Sequence, residues 1–422
     1  MNGDPSLVVI GAGPAGLALA RHYSGPSLIL EASHEVGGLC RSIEFGGGVF
    51  DVGGHSFHTP HAEVAGFVYK LMRGNWHEQR RDARVWFDGA LIPYPFQAHF
   101  GALPDAAVVA ECRAGSRDGR DEEENLEDWL VARFGAGVAR HFLLPYNRKL
   151  WAHDLRDIAC DWVGERIAGS EGKAARKPLG DGTHVGYPAE GGFGAIFRKI
   201  AKGLDIAFGK RVVAVDPEAR TLRTADGEER CWSQLVSTMP LTELTRMVGG
   251  CPEPVLDAVA GLKHIRLKIL HILAAGDPGD APHRVYIADP AIPPHKVAFN
   301  HTASPALRKR PVQAIIAEIA HSPHKKVGDD ASLIAGTVDW LASAGFIRRA
   351  DVIETRAIDV EHGYPLYTHD RRALRDMVRG WLATVGIRSI GRFGAWSYVN
   401  SDECIRQGMA LAREIAPAPN PA

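Results

Sequence analysis

Residues 7–31 constrain this chain more than any other stretch. The apolar run Leu7-Val8-Val9-Ile10 suits a buried parallel strand, and it leads straight into Gly11-Ala12-Gly13-Pro14-Ala15-Gly16 before helical character sets in over 17–23. Gly11 allows a tight turn, Gly13 lets the backbone approach a pyrophosphate, and Gly16 lets helix and strand pack closely. The start of the helix offers unpaired N–H groups and a partial positive charge to an anion. A second apolar run, Ser27-Leu28-Ile29-Leu30, ends on Glu31, whose carboxylate can accept from both ribose hydroxyls of an adenosine. Strand, glycine turn, helix, strand and acid in that order specify a dinucleotide cradle.

The residues after the acid narrow the dinucleotide. Where an NAD-binding fold usually continues into a helix, this chain has Val36-Gly37-Gly38-Leu39-Cys40-Arg41-Ser42. A second Gly-Gly turn at this place resembles the extended signature of FAD-binding flavoproteins of the amine-oxidase and glutathione-reductase type, ArgxGlyGlyArgxxSer/Thr. Glu35 and Leu39 stand where that pattern has arginines, while Gly37, Gly38 and Ser42 keep the backbone part of the site. The resemblance implies FAD.

At 422 residues the chain is long for one core, and two or three substructures are expected. Lysine and arginine number 49 against 50 aspartates and glutamates, so no bulk field favours nucleic acid, and anions must be met by individually placed cations. The six cysteines, at 40, 112, 160, 231, 251 and 404, contain no CxxC pair and read as reduced thiols of a cytoplasmic protein rather than a metal site or disulfide framework. No signal peptide is expected before the first strand, and no stretch reaches the roughly 18–20 unbroken apolar residues of a membrane span.

Further along, the pattern is mostly helical over 60–167, followed by a Gly/Lys-rich stretch at 169–186 that reads as a mobile loop. The polar stretch 113–127 reads as a solvated loop entering an acid-rich first helical turn. Strand character returns at 212–215, 221–224 and 235–239, with an Asp226-Gly227 turn inside, and again at 267–273, 285–288, 296–300 and 312–320. Helices over 378–390 and 402–415 close the chain. The expected architecture is α/β. A discontinuous Rossmann-like FAD-binding domain (1–60, 187–245 and 375–418) carries a mainly helical substrate insertion (61–186), an antiparallel β-sheet substrate domain (246–374) and a disordered tail (419–422).

Five further segments, in order, resemble UDP-galactopyranose mutase, most closely the eukaryotic type. They are Asp51-Val52-Gly53-Gly54-His55; Pro93-Tyr94-Pro95-Phe96-Gln97; Pro145-Tyr146-Asn147-Arg148-Lys149-Leu150-Trp151 with Trp162-Val163-Gly164-Glu165-Arg166 behind it; Tyr187-Pro188-Ala189-Glu190-Gly191-Gly192; and Gly391-Arg392-Phe393-Gly394-Ala395-Trp396-Ser397-Tyr398. The resemblance implies a redox-neutral isomerisation on reduced FAD, in which flavin N5 attacks the anomeric carbon of a UDP-sugar and UDP leaves. The sugar then changes ring size on a covalent flavin N5–sugar adduct and is recaptured by UDP. NAD(P)H, as an external reductant, would have to share the substrate pocket.

The resemblance also assigns roles. His55, between Gly53-Gly54 and Ser56, matches a histidine loop that shifts with flavin redox state. Tyr94, Phe96, Gln97, Phe142, Asn147 and Trp151 match a uridine pocket, where aromatic faces stack on the pyrimidine and amides meet its polar edge. Arg166 corresponds to one of two arginines gripping the diphosphate; the second aligns with Lys296, which keeps the charge and loses the fork. Tyr286, Tyr364 and Tyr398 match tyrosines at the diphosphate, and Arg392 the arginine beside the flavin, where a cation favours the anionic reduced form. Val212 fits the edge that meets adenine, and Asp402 can cap the last helix with its N-terminus at the flavin ribityl or pyrophosphate. A family asparagine has no counterpart near Asp181-Gly182-Thr183, so both departures concern sugar and phosphate rather than uracil.

Two other readings share this fold. An FAD-dependent oxidoreductase of the amine-oxidase type would use the same cofactor domain, but a charged grip beside a nucleoside pocket is the wrong lining for a hydrophobic amine or a tetrapyrrole. A mutase homologue with altered sugar-nucleotide chemistry rests on Lys296 and the missing asparagine.

Overall fold

The computed structural model describes residues 6–114, 124–163, 184–277 and 279–415. Its first element, Leu7–Ile10, is buried along its whole length because it lies in the middle of a parallel sheet. The order is Ile387–Ser389, Gln234–Ser237, Leu7–Ile10, Ser27–Leu30, Ile206–Ala207, and every neighbouring pair is parallel. Strand residues alternate between two apolar layers. Leu7 and Val9 pack with Leu17, Ile196 and Ile405 of the helices Pro14–His22, Gly194–Ala201 and Ser401–Glu414. Val8 and Ile10 pack with Leu241, Val259 and Leu382 of Leu241–Met247, Glu253–Gly261 and Arg371–Thr384.

Two boundaries differ from expectation here. The helical period read over 378–390 stops at Thr384, because Gly386 takes φ 75 and turns the chain into the edge strand Ile387–Ser389. Helix Glu253–Gly261, expected with the substrate domain, packs on the cofactor sheet instead.

The second large sheet has seven strands in the order Val352–Pro365, His264–Ala275, Val312–His321, Lys296–Phe299, Arg284–Ile287, Ala83–Phe87, Ala90–Pro93. It is antiparallel except where Arg284–Ile287 runs parallel to Ala83–Phe87. Two of its strands therefore come from 83–93, inside the stretch expected to be helical. A further long strand, Val352–Pro365, is not signalled by alternation because its mixed residues lie at the sheet edge.

Residue parity sorts this sheet's faces. Leu270, Ile272, Val285, Val297, Ile315 and Ile319 bury against Leu333 and Leu341 of helix Asp330–Ser343. Each such side chain contributes about 1.5–3 kcal/mol relative to exposure. Leu267, Ile269, Ala298, Ala314, Ile316 and Ala320 turn the other way, towards a helical layer that includes Leu126–Phe134 and Leu144–Trp151.

Of the expected loop at 169–186, residues 184–186 belong to the strand His184–Tyr187, paired antiparallel with His77–Arg80; 169–183 and the tail 419–422 lie outside the described residues. Asp226-Gly227 forms the expected turn, with Gly227 N–H donating to Thr224 O at 2.9 Å. Among the described residues no helix is long and apolar enough to cross a membrane.

Candidate active site

A cavity of about 1160 Å³ runs from the carboxyl ends of the parallel strands to the cavity face of the seven-stranded sheet. Its first half is built by the glycine turns. A Cβ at Gly11 would lie 2.4 Å from Thr238 Oγ1, and one at Gly16 would lie 2.1 Å from Gly11 O, so both glycines are required by the protein's own packing. Gly13 is different: a Cβ there would meet nothing within 4 Å, and the residue lines the cavity as bare backbone. Gly37 N–H donates to Ala12 O at 2.8 Å and holds the second turn against the first, with Gly38 on the cavity wall.

Glu31 also lines the cavity; its carboxylate accepts from Ala12 N–H at 2.7 Å and from Ser33 N–H and Oγ at 2.8 Å each. Two oxygens with about four lone-pair sites keep capacity for a ribose. Val212 is on the wall beside Lys210 and Arg211. Bare glycine backbone, helix N-terminus, acid and strand edge along one continuous channel fit FAD.

Two expected cofactor contacts are placed elsewhere. Ser42 sits behind the wall, donating to Asp51 Oδ1 at 2.5 Å and accepting from Gly194 N–H at 2.8 Å. Burial pushes the Asp51 carboxyl up to about 6, against the hydrogen bonds from Ser42, Tyr187 and Phe193 N–H. Asp402 lies within the first turn of Ser401–Glu414 rather than at its cap, which is Asn400. Asn400 and Ser401 reach the cavity, whereas burial raises the Asp402 carboxyl against a hydrogen bond from Thr59. The signal for a helix start was sound, but its register was two residues off.

Where the halves meet, Arg392 lines the cavity with its Nε donating to Val399 O at 2.8 Å. Its guanidinium stands 5.3 Å from the Tyr364 ring centroid and 5.8 Å from that of Tyr398. His55 stacks on Phe193, centroids 5.0 Å apart at 7°, and removal from water together with Lys296, Arg392 and Arg284 pushes its imidazole down to about 3. The ring is therefore neutral at ordinary pH. The loop beneath it is tight. A Cβ at Gly54 would come within 2.6 Å of Ala298 Cβ, and Gly54 N–H donates to Glu318 Oε1 at 2.7 Å.

The second half is aromatic. Tyr94, Gln97, Phe142, Asn147 and Trp151 line it, with Tyr146 among them. Phe142 and Tyr146 stack at 5.3 Å and 8°, and Phe96 supports Phe142 from behind at 4.9 Å without reaching the cavity. Asn147 Nδ2 donates to Leu143 O at 2.8 Å, which fixes the amide's orientation. Trp151 is buried, packs edge-on to Trp162, Tyr364 and Tyr398, and its Nε1 has no hydrogen-bond partner among the described residues.

Tyr286 and Lys296 are a directly opposed cross-strand pair, so both point at the cavity. Lys296 Nζ already has a partner, Glu318 Oε1, at 2.8 Å. Burial alone would raise the Tyr286 phenol, but Arg284, Arg81 and Lys296 outweigh it and hold the phenol below its ordinary range. Arg166, the other expected diphosphate cation, falls outside the described residues.

Sequence reasoning did not single out Arg81, Arg284 or Glu318, all on the cavity wall. A signal existed for two of them. Arg284 is two residues before Tyr286 on the same strand and so shares its face, and Glu318 is the lone charge in an otherwise apolar run.

Fold and site together define a flavoenzyme with a dinucleotide-binding domain. The profile of the flavin containing amine oxidoreductases matches residues 14–272, and the chain belongs to that family. Among solved structures it resembles a reduced UDP-galactopyranose mutase, 25% identical with a TM-score of 0.89 over 98% of this chain and 94% of the other. The fold is shared more distantly with cyclohexylamine oxidase from Brevibacterium oxydans IH-35A, 14% identical, TM-score 0.72, covering 98% of each chain. A fatty acid isomerase from P. acnes also shares it, at 17% identity and a TM-score of 0.66, over 98% of this chain and 99% of that one.

Proposed function

We propose that this chain is a flavin-dependent nucleotide-sugar mutase that interconverts the pyranose and furanose forms of a UDP-sugar, UDP-galactose being the reference substrate, with FAD in the reduced form and NAD(P)H as an external reductant. One observation carries the reading: a single cavity joins the dinucleotide cradle to an aromatic–amide pocket through a waist of tyrosines and cations. Reduced flavin supplies the nucleophile for the anomeric carbon.

The residues serve the other needs of such a reaction. Tyr146 and Phe142 offer a stacked face to a pyrimidine, and Gln97 and Asn147 stand beside it. Tyr286, Tyr364 and Tyr398 present hydroxyls at the waist, where charge grows on a departing diphosphate. Arg392 adds positive charge there, with Lys296, paired to Glu318, beside it. Neutral His55 and its glycine loop form the wall on which the sugar would lie against the flavin. A site for a hydrophobic amine has no use for this concentration of charge.

Enzyme reduced with dithionite or NADPH should interconvert UDP-galactopyranose and UDP-galactofuranose, and oxidised enzyme should not. Oxygen consumption with an amine, and no interconversion by the reduced enzyme, would refute the proposal.

A further inference from the structure

Arg81 and Arg284 flank one oxygen. Each Nη2 donates to Ser56 Oγ at 3.3 Å, and both Nε groups are buried with no hydrogen-bond partner among the described residues. Among the described residues neither guanidinium pairs with a carboxylate. Glu318 is within electrostatic range of Arg284, but its Oε1 is occupied by Gly54 N–H and Lys296. Tyr286 is hydrogen-bonded to Arg284, yet a phenol carries no charge to balance two cations. Two like charges held together on a half-buried cavity wall without a counter-ion are unfavourable unless an anion completes the site.

Their place in the cavity says which part of a ligand they meet. Ring contacts run from Phe142 to Tyr146 (5.3 Å), Tyr146 to Tyr286 (5.8 Å) and Tyr286 to Tyr94 (4.6 Å). Arg81 and Arg284 are both tied to Ser56, the residue after His55, and Arg284 is also hydrogen-bonded to Tyr286. A sugar nucleotide lying along this line, pyrimidine first, has its diphosphate beside Tyr286 and its sugar beside His55 and the arginine pair. Arg392 and Lys296 face the diphosphate in the mutase reading, and the pair, anchored on Ser56 beside His55, is placed to reach the sugar.

We infer that the sugar this site takes is acidic: a nucleotide-linked hexose carrying a carboxylate, which Arg81 and Arg284 grip from two sides. The inference rests on the mutase reading and refines its substrate class. Exchanging a pyranose for a furanose replaces O5 by O4 at C1 and leaves C6 outside the reaction, so a C6 carboxylate is chemically compatible with it. A planar carboxylate facing two forked guanidiniums makes charge-assisted hydrogen bonds that a hydroxymethyl group cannot.

The test is an equilibrium titration of the FAD-bound enzyme with UDP, UDP-galactose and UDP-galacturonate, followed by the flavin absorbance change. UDP-galacturonate should bind about tenfold or more tightly than UDP-galactose, the difference of at least one charge-assisted hydrogen bond. Arg81→Gln should erase most of that preference while UDP affinity stays within about threefold. Equal binding of the two sugars by the wild-type enzyme, with UDP binding intact, overturns the acidic-sugar inference alone. Failure of UDP itself to bind overturns the mutase reading and this inference with it. The wild-type comparison needs no variant to fold.

Discussion

Replacing Glu318 by glutamine should separate the site's charge balance from its shape. Glutamine keeps the size of the side chain and one oxygen for Gly54 N–H, so the loop bearing His55 retains its 2.7 Å anchor. What disappears is the negative charge 2.8 Å from Lys296 Nζ, in a pair whose side chains are 3% and 13% exposed. Removing one partner of a buried pair costs about 3–5 kcal/mol, and the lower end applies because Lys296 faces a cavity that water can enter. With an unfolding entropy of roughly 2 cal/mol/K per residue over 422 residues, about 3 kcal/mol lowers the melting temperature by roughly 3–4 °C. The assay is thermal unfolding of the FAD-bound protein followed by flavin fluorescence, with and without saturating UDP. UDP should stabilise Glu318→Gln more than it stabilises the wild type, because a phosphate then supplies the charge that Lys296 lacks. A drop of under about 1 °C would show that the pair is solvated and cheap to break. A full drop that UDP does not rescue would show that Lys296 does not face the diphosphate.

Two further outcomes follow from the same reasoning. Gly13→Ala should fold with a near-wild-type circular dichroism spectrum but purify without yellow colour, because its Cβ enters the channel and nothing else; Gly16→Ala, whose Cβ would lie 2.1 Å from Gly11 O, should fail to yield soluble protein. If Gly13→Ala binds FAD normally, the pyrophosphate does not lie on that turn. Burial pushes His271 down to about 4, so the unfolded chain binds the extra proton as pH falls below about 6.5, and stability is lost from there towards pH 4. His271 should account for roughly 2 kcal/mol of loss between pH 7 and 5, and urea titrations should find that much less loss in His271→Gln. An identical pH slope in the variant would mean that His271 is not held neutral.

What could be read from the sequence was local. The cradle at 7–31 was legible because each of its parts sits within a few residues of the next, and each has a backbone reason to be there. The same holds for the strands at 267–273 and 312–320, whose apolar runs are long enough to mark buried sheet. Ser42 was misplaced because the signature fixes a turn, not the direction of a side chain. Here Asp51, brought alongside by the hairpin Ser42–Phe45 with Gly48–Asp51, takes its hydroxyl. The strands at 83–93 escaped notice because they pair with Arg284–Ile287, some two hundred residues away, and edge strands carry mixed, weakly patterned sequences.

Charge balance is the property furthest from any local pattern, and it reverses the meaning of the clearest departure in the sequence. Read alone, Lys296 in place of an arginine is a loosened grip on the diphosphate. In three dimensions Glu318, from the neighbouring strand, already cancels that lysine. The uncompensated positive charge stands one strand further on, at Arg284, and beyond it at Arg81. The site keeps its capacity for anions and offers it at Ser56, the residue after His55. On the proposed mutase reading, a lysine-for-arginine exchange at 296 and an arginine pair at 81 and 284 would be two sides of one redistribution of charge, towards the sugar.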